Sequence, residues 1–198
     1  MILKKWTEEN GDNTDLKQMT LNNPSISHSE TFYTIAEAIH IRLGANQTQK
    51  KTTDFFQVSA SISSHYHTGS TPWYLASPEE DDHYAKVDSL GNNEYYCAKT
   101  EQTHDSYKVR LILNASLADG TGSISVTCFN NVCETLFGVS GGTLESIYKN
   151  NIKKYQKLLD AILFKKYLFK IKCFEETYNE EVRIKYTVIA IEASNPFI

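Results

Sequence analysis

Tyr167–Ala193 reads YLFKIKCFEETYNEEVRIKYTVIAIEA, and its pattern decides the fold class. In the runs Tyr167–Phe174 and Val182–Ile191, apolar and aromatic residues alternate with Lys170, Lys172, Arg183 and Lys185. A period of two with one apolar face predicts two strands, each half buried. The polar stretch between them, Glu175–Glu181, is expected to be the loop of a hairpin. It holds a single aromatic, Tyr178, among carboxylates, a Thr and an Asn. A ring at a loop tip beside a basic strand can serve as a platform on which a base stacks. An idle, solvated tyrosine is the commoner outcome at such a position, so the hairpin alone does not decide.

Upstream, the same alternation marks Lys108–Ala118 (KVRLILNASLA) and Ser123–Phe129 (SISVTCF), joined by the turn Asp119-Gly120-Thr121-Gly122. The period then changes. Asn131–Phe137 predicts a short helix stopped by Gly138. Thr143–Phe164, with Leu144, Ile147, Tyr148, Ile152, Tyr155, Leu158, Leu159 and Ile162 on one face, predicts an amphipathic helix broken near Asn150-Asn151. Its Lys149, Lys153, Lys154 and Lys157 form a solvated face. Nearer the start, Asp54–Ile62 predicts the first core strand. Thr31–Leu43 predicts a helix capped by Ser29 or Thr31 and stopped by Gly44. Met1–Glu30 is rich in Asn, Asp, Thr and Ser and reads as a linker, leaving residues 31–198 as one domain. The class is therefore mainly β with flanking helices. Five strands with the helical segment 131–164 between the third and fourth follow the order of an OB-fold barrel.

Ser63–Asp105 stands out as an insertion between the first two barrel strands, with small strands suggested at Tyr74 and Tyr95–Cys97. It carries His65, His67, His83, Cys97 and His104 but no paired Cys-x2-Cys, the spacing a structural zinc site needs. Metal is not expected, and His83, Cys97 and His104 are the weak candidates. The chain of 198 residues is 40% hydrophobic and 22% charged, as in a globular protein, with no apolar run long enough to span a membrane. Its start lacks a signal-peptide pattern. Four scattered cysteines give no disulfide framework, which points to a reducing nuclear or cytoplasmic home and makes the sequons at Asn46 and Asn114 chance matches. A net charge of −4 lowers the expectation of nucleic-acid binding unless the cations cluster.

From Ile35 to Ala193 the chain resembles the C-terminal DNA-binding OB domain of the replication protein A large subunit. Four segments carry the resemblance: Thr53–Val58, Tyr107–Asp119, Val126–Gly138 (VTCFNNVCETLFG) and Glu176–Lys185 (ETYNEEVRIK). The last is the most specific, being close to the family's ETYNDESRIK. Leu3–Gly11 is similar to the end of a preceding OB domain, so the chain is expected to be a piece of a longer tandem-OB protein. The resemblance implies single-stranded DNA in a groove between the barrel face and the loops joining strands 1–2 and 4–5. By position it implies Phe129 and Tyr178 as base-stacking rings. Arg183 and Lys185 match basic residues beside the 4–5 loop, and Lys108 and Arg110 match a basic second strand.

Two departures matter. The family's insertion is a four-cysteine zinc ribbon, whereas here the four positions hold Ser77, Asp82 or His83, Cys97 and Thr100. Zinc is expected only if this degenerate ribbon keeps a non-standard site; otherwise packing of Trp73, Tyr74, Tyr84, Tyr95 and Tyr96 holds it. The family also continues into a helix that bundles with two smaller subunits, and this sequence stops at Ile198. The loss of the zinc ligands suggests a paralogue, such as the processivity subunit of ciliate telomerase, or a meiotic one. The expected partners are then telomeric G-rich single strands, with telomerase or replication protein A-type subunits, in the nucleus. A protein-docking OB domain that has lost its DNA groove is the alternative. No nucleophile elbow, phosphate loop or metal motif supports an enzyme.

Overall fold

The computed structural model describes residues 31–45, 53–66, 71–79 and 83–193; the linker expected at Met1–Glu30 lies outside them, as do the six polar residues Asn46–Lys51, whose composition predicts a turn. In chain order the described elements are α1 (Ile35–His40), β1 (Thr53–Tyr66), β2 (Trp73–Ala76), β3 (Val87–Gly91), β4 (Glu94–Cys97) and β5 (Gln102–His104). There follow β6 (Lys108–Ala118), β7 (Ser123–Phe129), α2 (Asn130–Phe137), α3 (Gly141–Asn150), α4 (Ile152–Asp160), β8 (Lys166–Tyr178) and β9 (Glu181–Ala193).

Five strands close a ring. β1 pairs antiparallel with β8 along Thr53–Ser61 and with β6 along Ser61–Tyr66. The circuit continues from β8 to β9, from β9 to β7 by a parallel pairing, and from β7 to β6. This is the OB order. The register of β1 against β6 shifts between Ile62 and Ser64, a bulge at the point where the strand changes partner. Alternation sends Phe56, Val58, Ala60 and Ile62 inward to meet Leu111, Leu113, Ala115 and Leu117 of β6 and Phe169 and Ile171 of β8. Ile35 of α1 and Leu159 of α4, both buried, join the same core.

β6 and β7 have the bounds their alternation predicts, and the long helix breaks at Asn151, whose side chain accepts from the Lys154 N–H at 3.0 Å. The first strand, predicted as Asp54–Ile62, extends to Tyr66, into the stretch assigned to the insertion. The first helix is shorter than predicted. Residues 31–33 lie beside β1 instead, with the Gln57 N–H donating to Thr31 O and the Tyr33 N–H to Gln57 O. Thr34, and neither Ser29 nor Thr31, caps the helix through a reciprocal capping box with Glu37.

The largest correction concerns the hairpin. Glu175–Glu181 is not a loop: β8 runs to Tyr178 and β9 starts at Glu181, leaving Asn179 (φ 49°) and Glu180 (φ 66°) as a two-residue turn. Positive φ at both central residues is the primed turn whose twist matches that of the strands. The polar stretch stays in the ladder because Glu176 lies opposite Arg183, an opposite-charge cross-strand pair.

The insertion follows β1. β2 lies antiparallel to Lys108–Leu111 on the β6 edge that β1 uses farther on, at Asn114–Ala118. β3, β4 and β5 form a small antiparallel sheet of their own. On the opposite edge of β6, β7 ends at Phe129. There the buried Asn130 carboxamide oxygen accepts the next hydrogen bond, from the Leu111 N–H at 3.1 Å. Asn130→Ala orphans that donor and is expected to lower the unfolding free energy by about 1–3 kcal/mol, read from urea denaturation.

Candidate nucleic-acid interface

Inward packing of Leu111, Leu113, Val126 and Cys128 leaves Ile112 and Asn114 of β6 and Thr127 and Phe129 of β7 on the outer face. They stand in cross-strand pairs, Ile112 with Phe129 and Asn114 with Thr127, and the Thr127 hydroxyl donates to Asn114 Oδ1 at 2.9 Å. Beside this face the β8–β9 hairpin rises and encloses a groove of about 380 Å³. Phe129, Asn114, Arg183 and Lys185 all line it. A second hollow of about 800 Å³ shares Ile112, Asn114 and Phe129 and extends under the insertion to Tyr74, Tyr84 and Lys86. Phe129, 45% exposed, stands where the two meet. An exposed phenyl ring in a concavity is unfavourable in water and well suited to a flat aromatic ligand.

Arg183 and Lys185 project from β9 onto one carboxylate. The Arg183 Nε and Nη2 groups donate to Glu176 Oε1 at 3.0 and 2.7 Å, and the Lys185 ammonium donates to Oε2 at 3.1 Å. Hydrogen bonds from Arg183 and then Lys185 hold the Glu176 carboxyl below its ordinary range. Tyr178, 55% exposed at the end of β8, carries the Arg183 guanidinium 4.3 Å from its ring centroid. The guanidinium is thus bracketed by a carboxylate and a π face.

Lys108 and Arg110 stand apart from this group. The Arg110 guanidinium lies 3.9 Å from the centroid of the Tyr84 ring and the Lys108 ammonium 5.7 Å from it. Both line a separate hollow with Tyr107, Glu134, Ser140 and Glu145. They share a strand face with Ile112 and Asn114, but at the end covered by the insertion. Tyr84 is itself held by the Tyr74 hydroxyl, which donates to its carbonyl at 3.3 Å. The two cations pin the insertion to the barrel.

Among the weak metal candidates, Cys97 and His104 are buried in the small sheet and His83 is exposed in a turn. His104 Nε2 lies 3.4 Å from the Ser77 hydroxyl, and its Nδ1 lies 3.8 Å from Glu79 Oε1. The donor set does not fit zinc. Hydroxyls stand at Ser77 and Thr100, and the described residues contain no group of three or more His, Cys, Asp or Glu able to hold a metal ion.

Glu176, Asn114 and Thr127 received no role from the sequence. Period two was the available signal. Asn114 is two residues beyond Ile112 and four beyond Arg110, and Thr127 is two before Phe129, which puts each on the groove face of its strand.

The family model described as Replication factor-A C terminal domain matches residues 55–196. The Replication protein A 70 kDa DNA-binding subunit of Danio rerio is 30% identical over 188 residues, covering 94% of this chain and 30% of the relative. That of Drosophila melanogaster is 27% identical over 193 residues, covering 98% of this chain and 31% of the relative. The chain thus spans about a third of the length of these relatives. A solved structure of yeast RPA bound to ssDNA is similar with a TM-score of 0.68 and 30% identity, over 83% of this chain and 89% of that one. A replication protein A heterotrimer bound to ssDNA gives a TM-score of 0.73 at 23% identity, over 84% of this chain and 37% of that one, a likeness of fold.

Two outcomes follow from this geometry. Glu176 has a lowered folded pKa, so its contribution to stability is full above the ordinary carboxylate pKa and is lost as pH falls through the lower folded value. The stability difference between wild type and Glu176→Gln should therefore hold steady from neutral pH down to about pH 5 and shrink as pH falls below that, followed by urea midpoints. Chelator treatment should leave the thermal midpoint unchanged, whereas a metal-held ribbon would lose stability.

Proposed function

The chain belongs to the Replication factor-A C-terminal domain family, and from that premise we propose that its barrel binds single-stranded DNA along the Phe129 groove. The observation that carries this is a single groove joining the exposed Phe129 ring to the side chains of Arg183 and Lys185. Tyr178, against Arg183, offers a second ring at its rim. Rings stack on bases of any sequence, while cations track the phosphates. The name of the relatives, DNA-binding subunit, and the ssDNA in the yeast structure support the same reading. It is a binding function and involves no catalysis. Asn114, which lines the same groove, presents a carboxamide to the edge of a stacked base.

The finer part of the proposal is that the strand is telomeric and G-rich and that the protein works in the nucleus beside telomerase. Its support is the departure from a zinc-ribbon donor set at Ser77 and Thr100 in a chain that otherwise keeps the family's motifs. Replication protein A-type subunits are the other proposed partners, in line with the heterotrimer of similar fold. The pairing of Arg183 and Lys185 with Glu176 and the net charge of −4 favour a second reading, a protein-docking barrel.

Fluorescence anisotropy with a labelled G-rich telomeric strand separates these. Wild type is expected to bind in a salt-sensitive manner. Phe129→Ala and Tyr178→Ala should each weaken binding about five- to a hundredfold, the equivalent of about 1–3 kcal/mol per stacked base. Failure of wild type to bind any single strand at low salt would overturn the DNA reading and leave the docking one. Equal competition by G-rich and mixed-sequence strands would overturn the telomeric part alone.

A further inference from the structure

We infer that Glu176 is a built-in competitor of the strand: its carboxylate occupies the cation pair that a phosphodiester would use, and binding is an exchange of one anion for the other. The inference rests on the DNA-binding reading and adds a residue that tunes it.

The geometry is that of a phosphate clamp already filled. Arg183 directs two of its five donors, Nε and Nη2, onto Oε1, and Lys185 places its ammonium on Oε2. A phosphodiester presents the same pattern, two oxygens sharing one negative charge, and is recognised by the same donors. Glu176 is held where it can compete. It lies opposite Arg183 in the β8–β9 ladder, and its side chain is 21% exposed, against 53% for Arg183 and 37% for Lys185. Tyr178 takes one face of the guanidinium, which keeps the arginine side chain over the hairpin. Glu176, Arg183 and Lys185 all line the groove that holds Phe129. A phosphate reaching the two cations with Glu176 in place would meet a like charge within a few ångströms, which is repulsive even in high dielectric.

An incoming strand therefore displaces the carboxylate. Each contact made by Arg183 or Lys185 replaces an existing ion pair instead of capturing a free cation. The displaced Glu176 must then find a counterion, which offsets part of the counterion release that drives binding. Both consequences vanish if residue 176 carries no charge.

The test compares wild type, Glu176→Gln and the triple variant Glu176→Gln/Arg183→Ala/Lys185→Ala by anisotropy with one labelled single strand across a salt series. Glu176→Gln is expected to raise affinity about tenfold at low salt and to steepen the plot of log affinity against log salt by about one unit. The triple variant should lose that gain. Unchanged or reduced affinity in Glu176→Gln would overturn the inference, because the carboxylate would then be orienting the cations for the strand. If neither wild type nor variant binds, the DNA reading itself falls, a result distinct from binding that Glu176→Gln does not improve. Thermal melts check that each variant folds. Should Glu176→Gln not melt cooperatively, Glu176→Ala, which likewise carries no charge, is read by the same criteria.

Discussion

The architecture depends on β1 serving two partners. Its first part completes the ladder of β8 and its last part that of β6, and the register shift between Ile62 and Ser64 lets one continuous strand do both. Ring closure abolishes the free edges that an open five-stranded sheet would expose. It also explains the position of the groove. One edge of β6 is divided between β1, along Asn114–Ala118, and β2, along Lys108–Leu111. Where β1 leaves and β2 begins, the Ile112 N–H is taken up by Pro72 O at 3.0 Å. Tyr66 at the end of β1 and Thr71 just before β2 line the two hollows that flank Ile112, Asn114 and Phe129. The proposed binding face lies at the gap that this change of partner opens.

Much of this was legible because burial on one face imposes period two. Leu111, Leu113, Ala115 and Leu117 reported β6 with its bounds, and Ile124, Val126 and Cys128 did so for β7. The break between α3 and α4 was legible because Asn competes with the helix by hydrogen bonding to nearby backbone, as Asn151 does with Lys154. The hairpin ends were not legible. A polar run looks like a loop when judged by hydropathy, and the charge pairing of Glu176 with Arg183 becomes visible only once the register is known. The same limit hid the place of Arg110. Alternation gives the face of a strand and says nothing of what covers it, and Tyr84 reaches Arg110 from far away in the chain. Cations were weighed without their neighbours, so Glu176 was read as part of a motif and not as a partner.

Local balance matters more here than the net charge of −4. The groove holds two cations and one carboxylate, so it begins with one net positive charge, and the arginine and lysine at the far end of β6 are committed to the Tyr84 ring. Long-range attraction of a polyanion by such a surface is weak, and much of it is screened within about 10 Å at 0.1 M salt. What remains is contact: the exposed faces of Phe129 and Tyr178, and the Asn114–Thr127 pair between the strands. Stacking is short-ranged and depends less on salt than the phosphate contacts do. A site that pairs its cations with its own carboxylate therefore shifts the burden of binding from phosphates to bases. Under the proposed DNA reading, it favours a strand whose bases are already unstacked and available to the rings over any other polyanion of equal charge.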